Sequence, residues 1–509
     1  MRTIVWTLLS VIGLTALTAT PVSAQSAATI PDRPEKLAFP PLRYAPPRPA
    51  DYRVELKSGP VAYLVPDREL PLVNIVVHLR AGSYLTPPGK EGLAYMTGYL
   101  LARGGTQSKT AEELEEQLDF LAAELSSGIG DTEGNVSLNL LAKDLDEGLA
   151  ILRDVLSAPR FQQDKLDLNK QQTLQELQQR NDDSSTIESR ESGFLAYGEK
   201  FWANRLPTAK SIAAITREDL VEFHRHWIAP SNFNAAVNGD FDRQQMIDRL
   251  EKVFSNWPFP GEKPGPIPTE TRMAQPGVYI VDKDVNQGRV SMMLPGILRN
   301  DPDYIPATVL NDILGGGGFT SRLMSRVRSD EGLAYGAYSS FPGGVYYPLV
   351  VTAAYQSKSR SVGYAASIVL DEMKKLSAGP VASAELETSK NGFIERFPSR
   401  FATKAQVANM FAEDEFTGRY AKEPDYWKDF RSKIAGVTAD DVRRVAAKYF
   451  LPDKLVVLIV GQKAEILKGD SDHPVDIAKL AGNRLVTVPL RDPLTLEPLP
   501  EGKSAEAGK

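Results

Sequence analysis

The sequence of 509 residues contains no cysteine and only four histidines. Without cysteine, the chain can form no disulfide framework and cannot carry a lipid on an N-terminal Cys. It also has no long basic run, and its formal net charge is -6. This charge balance argues against nucleic acid or an anionic membrane surface as the main partner. Beyond the first residues, no apolar run approaches the ~20 residues that a membrane-spanning helix needs.

The N-terminus has the features of a secretory signal peptide. Arg2 supplies the positive start, residues 4–17 form an apolar segment, and Val22-Ser23-Ala24 offers a small-residue cleavage site. The competing interpretation is a membrane anchor, but the apolar segment is short for that role. We therefore expect a cleaved signal peptide over residues 1–24. Export of a disulfide-free chain indicates a bacterial periplasm. We expect the protein to have no membrane anchor there.

A proline-rich stretch divides the remaining chain into two halves. A chain of this length exceeds what one hydrophobic core usually serves, so at least two domains are expected. Prolines at 258, 260, 264, 266 and 268 forbid a helix and indicate a semi-rigid linker. The predicted organisation is an N-terminal domain over 45–255, a linker over 256–272, a C-terminal domain over 273–488 and an extended tail over 489–509.

The two halves repeat one set of punctuating residues at a constant offset of 222. These residues are Thr216, Asp219, Pro230 and Gly239 in the first half and Thr438, Asp441, Pro452 and Gly461 in the second. Each set predicts a Thr-capped helix with Asp at the third helical position, a stop at Pro, and an apolar strand that ends at Gly.

Other segments have strand or helix periodicity and predict an α+β fold. The clearest strands are Val73 to Leu79 and Arg289 to Leu294, and the clearest helices include Thr110 to Leu125 and Lys165 to Gln179.

A helical stretch in the first half carries Tyr95-Met96-Thr97-Gly98-Tyr99 where an inverted zinc motif would read His-x-x-Glu-His. In that motif two His bind zinc and the Glu is the general base toward the metal-bound water. Tyr95 and Tyr99 still share a helix face, but a phenol with a pKa of about 10 is a poor zinc ligand at neutral pH. Gly98 has no side chain to accept a proton.

The second half carries Leu314 followed by the glycines Gly315, Gly316, Gly317 and Gly318, and then Arg328 and Tyr335, seven residues apart. No Lys-Ser/Thr pair follows the glycines directly, as a phosphate-binding P-loop would require. A guanidinium and a phenol are both strong donors toward an oxygen that gains negative charge in a transition state. The alternative to a functional pair is that Arg328 forms a surface ion pair with Asp330 or Glu331 and that Tyr335 is buried in a core.

With the segments Ala81-Gly82-Ser83, Gly89 to Ala94 and Ala158 to Phe161, these features resemble the pitrilysin-type, or inverzincin, zinc metallopeptidases. The resemblance is strongest to short bacterial members related to mitochondrial processing peptidase. It covers nearly all of the chain after the signal peptide. It implies two homologous domains, each a mixed, mainly antiparallel sheet packed with helices.

The resemblance also assigns roles to residues. A third zinc ligand of the family, a Glu, falls at Glu176, which equally well is a solvated carboxylate on a Gln/Glu-rich helix. Arg328 and Tyr335 match the pair that reaches from the second domain into the zinc cleft, binds the substrate backbone and stabilises the oxyanion. Gly315 to Gly318 match a glycine-rich substrate loop, or else a helix end and turn. Restoring the motif through Tyr95→His, Gly98→Glu and Tyr99→His is expected to recreate a zinc site.

One part of a peptidase site is present and the other is missing, which favours division of labour between two chains. The expected function is the noncatalytic, substrate-binding subunit of a heterodimeric zinc metalloendopeptidase that degrades peptides or unfolded segments. No metal is expected on this chain; zinc is expected on a homologous catalytic partner with His-x-x-Glu-His. The alternatives are a structural or assembly protein, or a stand-alone peptide-binding protein, with the same fold.

Overall fold

Alternation of apolar and polar residues builds the strands that organise each half of the protein. In the strand over residues 72–79, every second side chain is buried, as expected for a strand with one face against a core. The computed structural model describes residues 33, 37 and 43–500. The predicted signal peptide over 1–24 and the last residues of the tail, 501–509, lie outside this part. Residues from Ala45 onward form one compact unit; of the preceding unit, Met1–Tyr44, only residues 33, 37, 43 and 44 are described.

The strands are β1 Arg53–Glu55, β2 Val61–Pro66, β3 Leu72–Leu79, β4 Glu124–Ile129, β5 Gly134–Leu141, β6 Phe233–Gly239, β7 Gly277–Asp282, β8 Gln287–Leu294, β9 Ile297–Leu298, β10 Ala334–Ser340, β11 Gly343–Gly344, β12 Val351–Lys358, β13 Val456–Gly461 and β14 Leu485–Val488. The α-helices are α1 Pro49–Tyr52, α2 Leu93–Arg103, α3 Ala111–Phe120, α4 Leu145–Ser157, α5 Gln163–Gln178, α6 Ser184–Tyr197, α7 Ala209–Ala214, α8 Arg217–Trp227, α9 Arg243–Phe254, α10 Tyr304–Asn311, α11 Val362–Ala378, α12 Ser383–Arg396, α13 Lys404–Phe416, α14 Arg419–Lys422, α15 Tyr426–Ala435, α16 Ala439–Tyr449 and α17 Lys463–Lys468. Two π-helical segments follow α10, at Asp312–Gly316 and Met324–Asp330.

Two six-stranded sheets confirm the predicted α+β fold with mixed, mainly antiparallel sheets. The first sheet has the order β1-β2-β6-β3-β5-β4, and the second has β10-β12-β8-β13-β7-β14. Only β2 and β6 pair in parallel in the first sheet, whereas β7 pairs in parallel with both β13 and β14 in the second. Five strands of each sheet follow the same spatial order, so the two halves are structural repeats.

The repeated sequence markers occupy equivalent positions in the two halves. Thr216 caps α8 and Thr438 caps α16, each in a reciprocal capping box with the Asp three residues later. The strands that follow, β6 and β13, both end at glycine. These elements confirm the structure predicted from the offset of 222.

The predicted helix over Thr110 to Leu125 is too long. Helix α3 ends at Phe120, and Ala122 has a positive φ of 46°. Residues from Glu124 onward form β4 instead, paired in antiparallel register with β5. Strand pairing with a distant segment therefore overrides the local helical pattern at this point.

The two halves exchange a helix. Helix α6 of the first half packs on β8 and β13 of the second sheet, whereas α13 of the second half packs on β2 and β6 of the first. Ile187 and Ala196 of α6 share a buried cluster with residues of the second sheet, such as Leu458. Each sheet therefore buries one face with a helix supplied by the other half.

The described part of the tail, 489–500, also packs on the first half. Arg491 forms ion pairs with Glu191 at 3.4 Å and Glu199 at 2.9 Å. Leu494 packs against the hydrophobic core of the first half. In the described part of the chain, no helix is long and apolar enough to cross a membrane.

A buried histidine gives the fold a testable pH dependence. His224 of α8 is buried, and its Nε2 bonds the Leu156 carbonyl oxygen at 2.8 Å. Burial lowers the pKa of His224 from 6.5 to about 4. Between these values the unfolded chain binds a proton that the folded chain does not, so stability falls as pH falls through this window.

In urea unfolding, His224→Gln should reduce the stability difference between pH 7.5 and pH 5 by about 2 kcal/mol. An unchanged difference would show that His224 titrates normally in the fold.

Candidate functional site

Helix α2 positions the altered zinc motif of the first half. Tyr95 and Tyr99 lie one turn apart, with ring centroids 6.4 Å apart and the rings nearly parallel. The Arg103 guanidinium lies 4.5 Å from the Tyr99 ring centroid. Burial, and then the nearby Glu176 carboxylate, raise the pKa of Tyr95 above its usual value. The structure therefore brings Glu176 of α5 to the tyrosine pair, and Tyr95 remains a neutral phenol at pH 7.

Gly98 occupies the position of the catalytic Glu in the inverted motif, and it has no room for a side chain. A Cβ at this position would overlap the backbone N of Ile129 and the carbonyl carbon of Gly128 in β4. Ser127 of β4 completes the contact by donating to the Gly98 carbonyl oxygen at 2.6 Å and accepting from the Ala102 N–H at 2.9 Å. The glycine thus serves close packing of α2 on the edge strand β4.

The residues at this position do not fit a zinc ion. Two phenols replace the two His ligands, only the Glu ligand is retained, as Glu176, and the general base has no space. Among the described residues, no group of three or more His, Cys, Asp or Glu is arranged to hold a metal.

A cavity of about 560 Å³ adjoins the Tyr99 end of α2. Its walls include Leu118 of α3, Leu125 of β4 and Asn169 of α5. Asn169 is buried, and its Oδ1 has no hydrogen-bond partner. The first half therefore keeps an open, partly apolar cavity beside the altered motif.

The second half presents Arg328 and Tyr335 together with a third residue that the sequence analysis missed. The Arg328 guanidinium carbon lies 4.7 Å from the ring centroid of Phe319 and 4.8 Å from that of Tyr335. Both rings are highly exposed, 73% for Phe319 and 86% for Tyr335. An Arg stacked on aromatic faces keeps its N–H edge available for an acceptor. The signal for Phe319 was its position as a large aromatic residue directly after four glycines.

A neighbouring arginine makes the surface ion pairs that were the alternative for Arg328. Arg326 bonds Asp330 at 2.7 Å and lies 3.7 Å from Glu331. Within the described residues, the Arg328 side chain makes no hydrogen bond or ion pair, whereas its backbone carbonyl oxygen accepts from the Gly332 N–H at 3.1 Å. Tyr335 is exposed on β10, the edge strand of the second sheet, rather than buried in a core.

The glycine segment before Phe319 has mainly close backbone contacts. A Cβ at Gly315 would overlap Ser339 of β10, and one at Gly317 would lie 2.7 Å from the Asp312 carbonyl oxygen. Gly316 faces Asn311 in the same way, whereas Gly318 has a φ of 63° and open space around it. Only the last of the four glycines is therefore free of steric contact, and it leads directly into Phe319.

The structure forms two separate groups from the predicted site residues. One contains Tyr95, Tyr99 and Glu176, and the other contains Arg328 and Tyr335. Within the portion of the chain that is described, no hydrogen bond, ion pair or ring contact joins the two groups.

Two family models match the chain. Residues 64–193 match the model described as Insulinase (Peptidase family M16), and residues 214–393 match the Peptidase M16 inactive domain. Together they cover more than half of the sequence.

Curated relatives and solved structures agree with these matches. An uncharacterized zinc protease of Rickettsia bellii is 24% identical over 417 residues, covering 78% of this chain and 94% of the relative. A Helicobacter pylori protein named non-peptidase homolog YmxG is 26% identical, covering 67% of this chain and 78% of the relative. The crystal structure of a peptidase M16 inactive domain from Pseudomonas fluorescens has a TM-score of 0.72 and 25% identity, and the match covers 80% of this chain and 97% of that one. From its two matching domains, its paired six-stranded sheets and these relatives, the chain belongs to peptidase family M16.

Proposed function

We propose that this chain is the noncatalytic, substrate-binding subunit of a periplasmic zinc metalloendopeptidase made of two different chains. Its partner carries His-x-x-Glu-His and the zinc ion. This chain supplies Arg328 and Tyr335 to the partner's site and helps to hold an extended peptide or an unfolded segment.

The observation that carries this proposal is that Arg328 and Tyr335 lie side by side on the surface with the guanidinium available to donate. The guanidinium is held by Phe319 and Tyr335, and it has no acceptor within the described residues. Exposed Phe and Tyr rings beside an Arg are typical of a surface that binds another molecule. The altered motif on α2, by contrast, has no fit for zinc, so a reacting centre has to come from another chain.

The edge strand β10 offers a means to hold the substrate. It pairs only with β12 within the second sheet, and an edge strand presents backbone groups to which an extended peptide can add. Tyr335 lies near the start of this strand. The carbonyl oxygens of a peptide paired with β10 would therefore lie near the Tyr335 phenol and the stacked Arg328 guanidinium.

The test is peptide hydrolysis by material that co-purifies with the tagged chain from its native periplasm, compared with the recombinant chain alone. We expect chelator-sensitive cleavage of an unstructured reporter peptide in the native material only. No cleavage in either sample would favour a structural or peptide-binding protein. Cleavage by the isolated chain would overturn the assignment of a noncatalytic subunit.

A further inference from the structure

The two halves make the same glycine-mediated contact between a helix and an edge strand. In the first half Gly98 of α2 lies against β4, and Ser127 of β4 bonds the helix backbone. In the second half Gly315 of the π-helical segment after α10 lies against β10, and Ser339 of β10 bonds Asn311 at 2.8 Å. Gly98 and Gly315 are thus equivalent positions, separated by an offset of 217 residues.

This offset locates the second-half counterpart of the altered zinc motif. Along the same helical segment it carries Tyr95 to Asp312 and Tyr99 to Gly316. Both of these second-half residues line one cavity of about 540 Å³, together with Phe393 of α12. The position of a zinc site in one half therefore corresponds to an open cavity in the other.

Cavities adjoin this helical segment in both halves, and the side chains at the motif positions differ in size. In the first half the stacked rings of Tyr95 and Tyr99 occupy the helix face. In the second half Gly316 has no side chain where Tyr99 has a phenol, and Asp312 is much smaller than Tyr95. The volume lies within the range of small-ligand sites in proteins.

Unpaired charges of both signs line the cavity from different helical segments. Asp312 follows α10, whereas Arg396 ends α12 and Arg400 lies one turn later. Within the described part of the chain, none of these three side chains has an ion-pair partner. The Arg396 Nε donates to the Gly392 carbonyl oxygen at 2.8 Å, which leaves its other N–H groups available.

Apolar rings complete the lining, and a second cavity adjoins the first. Phe393 and Phe341 line the first cavity. Tyr304, Thr308, Phe393 and Arg400 also line a neighbouring cavity of about 600 Å³. The four shared residues place the two cavities side by side.

We infer that this cavity binds short peptides with free termini. Arg396 and Arg400 hold the C-terminal carboxylate, Asp312 holds the terminal ammonium group, and Phe393 and Phe341 contact an apolar side chain. Guanidinium groups suit a carboxylate because they donate in a planar fork, and the opposite charge on the other helix matches the ammonium end. Neither Arg328 nor Tyr335 lines this cavity, and the binding proposed for it needs no partner chain.

Calorimetric titration with the tripeptide Leu-Phe-Leu tests the inference on the recombinant full chain. The free tripeptide should bind at least about tenfold more tightly than its C-terminal amide, because the amide loses the charge-assisted hydrogen bonds. It should also bind more tightly than the N-acetylated tripeptide. The double variant Arg396→Gln, Arg400→Gln should lose the preference over the amide, and Asp312→Asn should lose the preference over the acetylated peptide. Arg443→Gln, an exposed residue of α16 that pairs with Asp440, serves as the matched control and should behave as the parent.

Equal binding of the free and amidated tripeptides by the parent would overturn the inference, as would no binding at all. A parent-like preference in the folded double variant would also overturn it. Circular dichroism of each variant separates loss of binding from loss of fold. Because no partner chain takes part, each of these outcomes leaves the proposal of a two-chain peptidase to its own test.

Discussion

Arg328→Ala is expected to lower the rate of peptide hydrolysis by the proposed two-chain complex by about 100-fold, the cost of losing one donor to a developing oxyanion. The zinc content of the complex should stay unchanged, because the proposal assigns the metal to the partner. The physical reason is the geometry around the guanidinium. Its stacking between Phe319 and Tyr335 fixes its plane before substrate arrives, so little rotational freedom is lost on binding.

The chain offers a matched control for this change two residues away. Arg326 lies on the same π-helical segment and pairs with Asp330 and Glu331. Arg326→Ala removes a guanidinium of the same size without touching Phe319 or Tyr335. Its complex should hydrolyse the reporter peptide at nearly the parent rate.

Tyr335→Phe distinguishes the contribution of the hydroxyl group to the rate from that of the aromatic ring. The substitution keeps an aromatic face beside Arg328 and removes only the O–H donor, so a similar fall in rate points to a hydrogen bond from the phenol. Tyr338→Phe, on the same exposed strand, is the control. Parent rates in both the Arg328→Ala and Tyr335→Phe complexes would discard the role assigned to the pair.

Gly98→Ala is expected to lower the free energy of unfolding by about 3 kcal/mol, as overpacking against fixed groups does. A helix interior normally gains up to ~1 kcal/mol when Gly becomes Ala, so a loss would have the opposite sign from the local preference. The cause is the contact with β4, where the new methyl group would meet backbone atoms of Gly128 and Ile129 rather than a movable side chain. Urea unfolding measures the effect.

Gly128→Ala is the matched control on the other side of the same contact. A Cβ at Gly128 meets nothing within 4 Å, so this substitution should change stability by no more than about 0.5 kcal/mol. If Gly98→Ala were as stable as Gly128→Ala, the close packing of α2 on β4 would not be a property of the protein in solution.

The same contact bears on restoration of the zinc motif. From the sequence, Tyr95→His, Gly98→Glu and Tyr99→His are expected to recreate a metal site beside Glu176. The structure contradicts the steric assumption behind this expectation, because Gly98 has no room for even a Cβ. The first half has therefore lost the space for the general base as well as the residue.

Local sequence patterns were sufficient for features that depend on near neighbours. The capping boxes at Thr216 and Thr438 involve residues three apart, so their spacing alone predicts them. The loss of the two zinc ligands at Tyr95 and Tyr99 and of the general base at Gly98 follows from side-chain chemistry, whatever the fold. The offset of 222 revealed two homologous halves because equivalent caps and turns need the same residue types.

Tertiary structure decided the features that join distant segments. The local sequences of α6 and α13 do not indicate which sheet each helix covers, because an apolar helix face can pack on either sheet. Likewise, β4 is a strand because it pairs with β5, although its first residues continue a helical pattern. The role of Gly98 in packing, the stacking of Phe319 on Arg328 and the cavity beside Asp312 likewise depend on contacts across the fold. The sequence by itself determined the α+β class, the repeat and the replacement of His, Glu and His by Tyr95, Gly98 and Tyr99. Only the tertiary structure decided which surfaces remain open, because exposure is set by long-range packing and has no local sequence signal.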